Sequence, residues 1–297
     1  MLAYLNGQFV PRATASIPVE DRGFIFGDGV YEVWRVVAGR LFENERHLAR
    51  LESGLRELRI PAPEIVDRDA IESVARRLLA DSGLIHGEAT FYVEITRGVA
   101  PRTHQFPPAG TPPTVFAMAN RFTPPDAVRA RGASCITTPD IRWARCDIKT
   151  IQLLPNILAK QAAAERDAID ALMIRDGVVT ESSHANIMAV IDGVVRTHPT
   201  DHRILAGVTR AVVLEIASEL GIPVREEPFA EADIARADEL FLVGTTTDVM
   251  PIVRVNDVVI AGGTPGVIAK RLHAELRARL DAKPAAERAT SRAMASS

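Results

Sequence analysis

Short strand patterns and two helix patterns alternate along the first half of the chain. One hairpin is predicted around Asn6-Gly7 and a second across Ala38-Gly39-Arg40, because each turn lies between short apolar stretches. Apolar residues then recur at helical spacing over residues 44–58 and again over residues 67–79. This half is therefore predicted to be α+β.

Two further strand patterns, residues 90–96 and 114–119, lie on either side of a long proline-rich segment at residues 97–113. A loop of that length inside a compact domain is usually functional or disordered. The segment is therefore a candidate binding loop.

The pattern changes near residue 121, where Arg121-Phe-Thr-Pro-Pro-Asp126 contains paired prolines that stiffen the chain. We predict a small N-terminal domain at residues 1–120, an interdomain linker at 121–131 and a large domain at 132–283. Residues 284–297, rich in alanine, serine and arginine, are predicted to be a disordered tail.

Two aspartate-glycine turns, Asp176-Gly177 and Asp192-Gly193, predict antiparallel hairpins in the large domain. Helices are predicted at residues 208–220, before Gly221, and at residues 265–280. An apolar strand is expected at residues 240–243.

The composition is that of a soluble globular protein: 297 residues, 47% hydrophobic and 25% charged. A net charge of -3 gives no broad basic surface, so we expect no nucleic-acid partner. No stretch approaches membrane-spanning length, and no targeting segment is expected. The two cysteines, Cys135 and Cys146, are too few for a zinc site and fit a reducing compartment, so we place the protein in the cytoplasm.

Lys149 is the first candidate for chemistry, because the chain has only four lysines. An unprotonated amine bonds covalently to an aldehyde cofactor. Its apolar neighbours predict burial, which lowers the pKa of an ammonium group; they are Ile148, Ile151, Leu153 and Leu154. The alternative is a surface lysine. The other three occupy polar helical stretches or the tail, where a solvated charge is expected; they are Lys160, Lys270 and Lys283.

Groups able to bind a phosphate follow later in the chain. Gly207, Val208 and Thr209 open a predicted helix, whose N-terminal N–H groups favour an anion, although a threonine there is also an ordinary N-cap. Thr245 and Thr246 follow the strand at residues 240–243 and add hydroxyl and amide donors.

Seven segments, in order along nearly the whole chain, resemble the class IV aminotransferases, the pyridoxal-phosphate enzymes of fold type IV. They are Arg22-Gly-Phe-Ile-Phe-Gly-Asp-Gly-Val-Tyr-Glu32, His47-Leu-Ala-Arg-Leu51, Thr96-Arg-Gly98, Arg145-Cys-Asp-Ile-Lys149, Val179-Thr-Glu181 with Asn186, Leu205-Ala-Gly-Val-Thr209 and Glu239-Leu-Phe-Leu-Val-Gly-Thr-Thr-Thr247. The resemblance implies a two-domain α+β fold, with a small N-terminal α/β domain and a larger C-terminal domain around an antiparallel-rich, barrel-like β core.

The resemblance also implies roles. Lys149 would bind pyridoxal 5'-phosphate covalently and then move the proton at the substrate Cα, and Glu181 would keep the pyridine nitrogen protonated. The alternative is that Glu181 has no functional role and is a solvated carboxylate at a strand end. Arg50 would bind the phosphate; its spacing alone fits a solvated helix face.

Within the family, the segment Ile95-Thr-Arg-Gly-Val-Ala-Pro-Arg-Thr-His-Gln-Phe-Pro107 is most similar to the D-amino acid aminotransferases. There Arg102 and His104 would bind the substrate carboxylate with help from the Tyr31 hydroxyl. The loop would reach the neighbouring subunit's site, which implies a homodimer. Without the resemblance, Arg102 and His104 would be taken for a solvated loop.

Two positions depart from the family pattern. Gly244 stands where close relatives tend to carry a hydroxyl residue, and Ser182-Ser-His-Ala185 replaces a glycine-serine-rich run after the glutamate. His184 is either a loop residue, which we favour, or a hydrogen-bond partner of the cofactor. Arg22 and Asp28 are expected to fix the glycine-rich turn between them.

The predicted function is transamination between D-amino acids, such as D-alanine and D-glutamate, and 2-oxo acids, such as pyruvate and 2-oxoglutarate, in two half-reactions at one site. The alternatives on the same scaffold are a transaminase for (R)-amines or branched-chain amino acids and an aminodeoxychorismate lyase. A non-catalytic protein that sequesters pyridoxal phosphate is the alternative from another class.

Overall fold

Two β-sheets organise the chain in the computed structural model, whose described part is residues 1–282. The predicted tail therefore lies outside the described residues. Strands of the first sheet come from residues 2–121 and those of the second from residues 133–259. The domain boundaries themselves stay a prediction.

The first sheet has six strands in the order β2-β1-β6-β5-β3-β4. Their bounds are β1 (Leu2–Leu5), β2 (Gln8–Pro11), β3 (Gly29–Val37), β4 (Arg40–Leu41), β5 (Glu88–Thr96) and β6 (Thr114–Arg121). All of these neighbours pair antiparallel. Both predicted hairpins are present, and Asn6 and Gly7 have positive φ angles of 47° and 88°, as a tight hairpin turn requires.

Helices α2 (Asn44–Glu57) and α3 (Arg68–Asp81) begin and end within two residues of their predicted bounds. The Asp67 side chain caps α3 by accepting hydrogen bonds from the backbone N–H groups of Asp69 and Ala70. Leucines of both helices join Trp34 and Phe91 in one buried cluster, and each fully buried leucine contributes about 1.5–3 kcal/mol. This core fixes β3, which carries Tyr31.

The second sheet is mixed and follows the order β12-β11-β10-β13-β14-β7-β8-β9, with β15 paired to β14. Its strands are β7 (Ala133–Pro139), β8 (Asp170–Arg175), β9 (Val178–Ser182), β10 (Asn186–Ile191), β11 (Val194–Arg196), β12 (Val224–Arg225), β13 (Glu239–Gly244), β14 (Asp248–Val255) and β15 (Val258–Val259). A short turn links β9, at the end of the order, to the inner strand β10, so the sheet curls back on itself. The expected antiparallel-rich, barrel-like core is confirmed.

The remaining helices are α1 (Arg22–Phe26), α4 (Asp126–Arg131), α5 (Leu154–Ala164), α6 (Val208–Glu219) and α7 (Val267–Asp281). Apolar residues of α6 and α7 pack on one face of the second sheet. The segment predicted as a linker contains the short helix α4. Within residues 1–282, no helix is long and apolar enough to span a membrane.

Candidate active site

A cavity of about 450 Å³ lies where residues of the first sheet and α2 meet the curled second sheet. Nine of the predicted site residues line it: Tyr31, Arg50, Lys149, Glu181, Gly207, Val208, Thr209, Thr245 and Thr246. Arg102 and His104 do not. The chain therefore brings the predicted cofactor residues to one place, while their roles remain predictions.

Lys149 lies in a loop that is fastened to β3. The Tyr31 N–H donates to the Lys149 carbonyl at 3.1 Å, and the Lys149 Nζ lies 4.1 Å from the centroid of the Tyr31 ring. Ile148 is buried, as expected, but Leu154 is 70% exposed. The burial predicted for Lys149 is partial: Lys149 is half-buried, and Leu154, at the start of α5, is exposed.

Glu181 lies on the buried strand β9 and faces the cavity with its carboxylate held from three sides. Arg142 pairs with it, the Asn186 side-chain amide donates to it at 3.0 Å, and the Leu205 N–H donates at 3.3 Å. Burial raises the pKa of Glu181 against the opposing effect of Arg142. A buried carboxylate of this kind is suited to pairing with a cation inside the cavity.

Arg142 is the residue that the sequence analysis missed. Its guanidinium binds Asp140 at 2.7 Å as well as Glu181, and it also donates to the Arg203 carbonyl. Burial raises the pKa of Asp140, but the Arg142 contact outweighs it and lowers that pKa. Asp140 is a sequence neighbour, but Glu181 and Arg203 lie 39 and 61 positions further along the chain. No local pattern predicts those two contacts, because they form only when the sheet curls.

Gly207 is the N-cap of α6 and has no side chain to cover the exposed N–H groups. A Cβ at this position would lie 2.0 Å from the Asn186 Oδ1. Any side chain at position 207 would displace Asn186, which also donates to Glu181, and this explains why the position is glycine. The helix therefore presents its N-terminal N–H groups and the Thr209 side chain to the cavity, an arrangement that favours phosphate.

Arg50 enters the cavity wall from α2 with its orientation fixed by Glu32. Its Nε and Nη2 both contact the Glu32 carboxylate at 2.8 Å, and its Nη1 donates to the Ala206 carbonyl. Burial raises the pKa of Glu32, but Arg50 and His47 together hold it well below its usual range. Arg50 thus links the first sheet to the segment that opens α6.

Thr245 and Thr246 lie in the turn between β13 and β14. Arg35 donates to the Thr245 carbonyl at 3.3 Å, and Arg129 donates to the Thr247 carbonyl at the same distance. These contacts fix the turn against both the first sheet and α4. Its hydroxyl groups complete the set of phosphate donors expected around the N-terminus of α6.

The loop that carries Arg102 and His104 folds over Phe26 instead of entering the cavity. The Arg102 Cζ and the His104 ring lie 5.4 Å and 5.8 Å from the centroid of the Phe26 ring, and both side chains are exposed. Arg22 pairs with Asp28 at 2.8 Å and donates to the Thr103 carbonyl at 2.7 Å. Arg22 therefore holds both the glycine-rich turn and this loop.

Comparison with known proteins decides the family. The profile of the family described as amino-transferase class IV matches residues 29–255. A D-alanine aminotransferase of Staphylococcus epidermidis is 38% identical over 91% of this chain and 94% of its own length. One of Bacillus licheniformis is 36% identical, over 93% and 96% of the two chains. This chain belongs to the class IV aminotransferases.

Solved structures of this family have the same fold. The branched-chain amino acid aminotransferase of Escherichia coli superposes with a TM-score of 0.86 at 23% identity, covering 93% of each chain. A branched-chain amino acid aminotransferase of T.th., complexed with N-(5'-phosphopyridoxyl)-L-glutamate, has a TM-score of 0.83 at 27% identity, covering 95% of each chain. The fold type IV architecture is therefore confirmed, and with it pyridoxal phosphate as the cofactor.

The departures from the family pattern adjoin each other in this aminotransferase. A Cβ at Gly244 would lie 3.3 Å from the Ala185 Cβ and 3.4 Å from the Thr247 Oγ1. His184 lines the cavity beside them, with its Nε2 3.4 Å from the same hydroxyl. His184 is thus a side chain of the cavity wall as well as a loop residue.

Proposed function

We propose that this protein is a pyridoxal-phosphate-dependent D-amino acid aminotransferase that moves amino groups between D-amino acids and 2-oxo acids. The observation that carries the proposal is the convergence of Lys149, Glu181 and the N-terminus of α6 on one cavity. The D-alanine aminotransferases, at 36–38% identity over more than nine-tenths of the chain, support the choice of substrate.

The cavity fits the cofactor by its donor set. Lys149 offers an amine, Glu181 offers a buried carboxylate, and the N-terminus of α6 offers backbone N–H groups where Gly207 leaves space beside Asn186. Lys149, Glu181, Arg50, Gly207, Val208, Thr209, Thr245 and Thr246 would hold pyridoxal phosphate. When bound, the cofactor supplies a ring that accepts electrons as the substrate Cα loses its proton.

Lys149 has two tasks in this proposal. Its amine would hold pyridoxal phosphate covalently, and as a neutral amine it would carry the proton to and from the substrate Cα. Glu181, whose carboxylate is held in place by Arg142 and Asn186, would keep a proton on the ring nitrogen of the cofactor. Tyr31, whose ring centroid lies 4.1 Å from the Lys149 Nζ, would donate a hydrogen bond from its hydroxyl to the substrate carboxylate.

Arg102 and His104 would bind that carboxylate in the site of a second chain, which makes the proposed enzyme a homodimer. The loop lies outside its own cavity, as this arrangement needs. Exposed apolar side chains also lie in or next to the cavity wall: Trp143 and Ile157 line the cavity, and Ile141, Leu154 and Leu158 are sequence neighbours of lining residues. A partner chain would cover such a surface favourably. We also place the enzyme in the cytoplasm, where the free thiols of Cys135 and Cys146 stay reduced.

A branched-chain aminotransferase is the second candidate, because several solved structures with this fold carry that name. These share 23–27% identity with the chain, less than the D-alanine aminotransferases do. Single-turnover amino transfer to the cofactor from D-alanine, L-leucine and (R)-1-phenylethylamine separates the candidates. We expect rapid transfer from D-alanine. Transfer from L-leucine or the amine alone would refute the D-amino acid assignment.

A further inference from the structure

The turn between β9 and β10 places His184 in the cavity wall, although its sequence neighbours Ser183 and Ala185 are buried. Ser182 and Ala185 close the turn on each other, with the Ser182 N–H donating to the Ala185 carbonyl at 2.8 Å and the Ala185 N–H donating to the Ser182 Oγ at 3.0 Å. The His184 side chain remains 43% exposed. The proposed transamination steps make no use of it.

A buried carboxylate orients the His184 ring. The Nδ1 lies 2.9 Å from the Asp170 Oδ2, an ion-pair contact without hydrogen-bond alignment, and 3.3 Å from the Ser183 Oγ. The other carboxylate oxygen accepts from the Ala171 N–H at 2.8 Å and from Ser183. Burial raises the pKa of Asp170, but His184 outweighs this and holds it at about 2. The ring is therefore fixed through Nδ1, as in the carboxylate–histidine pairs of many binding sites.

The other nitrogen of the His184 ring, Nε2, is available to a ligand in the cavity. Within residues 1–282 its one hydrogen-bonding neighbour, the Thr247 Oγ1, lies at 3.4 Å, which is a weak contact. Lys160 also lines the cavity, its charge helps to lower the pKa of Asp170, and its Nζ donates to the Ile169 carbonyl. A histidine fixed by a carboxylate, with a lysine nearby, forms a wall that attracts an anionic oxygen.

We propose that His184 binds a carboxylate on the substrate side chain, so that the enzyme favours dicarboxylic amino and oxo acids over those without a second carboxylate. This inference rests on the proposed transaminase function. The other anion in the cavity is the cofactor phosphate, for which the N-terminus of α6, Thr245, Thr246 and Arg50 already supply donors. The substrate α-carboxylate is assigned to Arg102, His104 and Tyr31. Of the anions considered for this cavity, only a carboxylate on the substrate side chain has no partner assigned to it.

The test compares wild-type holoenzyme with His184→Ala, and with His86→Ala as a control for an exposed histidine away from the cavity. Binding of glutarate and of propionate is measured from the change in cofactor absorbance. We expect His184→Ala to weaken glutarate binding about 10- to 100-fold, the contribution of a charge-assisted hydrogen bond. Propionate and cofactor affinities should not change, and His184→Lys should restore part of the glutarate binding.

The same variants are assayed with D-glutamate and D-alanine as donors. The kcat/KM ratio of D-glutamate to D-alanine should fall in His184→Ala by the factor seen with glutarate, through KM. Equal weakening of glutarate and propionate, or a loss of cofactor affinity at an unchanged ratio, would overturn the inference. One outcome separates this inference from the proposed function. If the wild-type protein prefers glutarate to propionate, His184→Ala loses that preference, and the wild-type protein transfers no amino group, then the carboxylate site stands and the transaminase proposal fails.

Discussion

Among single residues, Lys149 matters most, because its amine would both hold the cofactor and carry the proton. Replacing Lys149 with alanine should remove the proton carrier and slow single-turnover amino transfer from D-alanine by about 10²- to 10⁴-fold. Lys270→Ala, on α7, serves as the control and should keep full activity. Rapid transfer by Lys149→Ala would assign the proton to another group in the cavity.

Arg142 illustrates what a buried ion pair does for a site. Its side chain is 6% exposed and contacts two carboxylates, so Arg142→Ala leaves Glu181 buried without its cation and Asp140 with only Arg175, whose Nη2 lies 3.0 Å from the Asp140 Oδ1. We expect the free energy of unfolding to fall by about 3–5 kcal/mol and cofactor affinity to fall with it. Arg236→Ala, which removes exposed ion pairs, should change stability by less than about 1 kcal/mol. Denaturant titration measures both, and equal losses would refute the argument.

At the scale of elements, Glu32 joins β3 to α2 through His47 and Arg50. Its pKa is lower in the folded protein than in the unfolded chain. Its contribution to stability is therefore present above about pH 4.5, the ordinary pKa of a glutamate, and is lost as the pH falls. Wild-type protein should lose more unfolding free energy on acidification than Glu32→Gln does. Parallel acid dependences, measured by denaturant titration, would show that Glu32 is not the group responsible.

Elements with local signals were predictable from the sequence. The turn at Asp176-Gly177 places two residues at positive φ, which Asp and Gly tolerate, and the hairpin follows. The periodic leucines of α2 similarly identify its buried face. Strand β7 has no such signal, because it is paired in parallel on both sides and its pattern depends on distant partners. The contact between Arg142 and Glu181 was missed for the same reason, because the two residues are 39 positions apart in sequence.

At the scale of the whole molecule, the proposed dimer supplies Arg102 and His104 from one chain to Lys149 of the other. A mixture of Lys149→Ala and Arg102→Ala chains, unfolded and refolded together, tests this arrangement. In a mixed dimer, one site has an intact Lys149 and receives an intact Arg102 loop from its partner. We therefore expect activity to return on mixing, although each variant alone is impaired. Failure to regain activity in dimers shown to be mixed would place Arg102 in its own chain's site or outside both.

The central claim is that this chain transaminates D-amino acids. Pyruvate release from D-alanine with 2-oxoglutarate as acceptor, in protein reconstituted with pyridoxal phosphate, tests that claim most directly, and L-alanine is the parallel control. We expect pyruvate from D-alanine and none from L-alanine. Pyruvate from L-alanine alone, or from neither enantiomer, would contradict it.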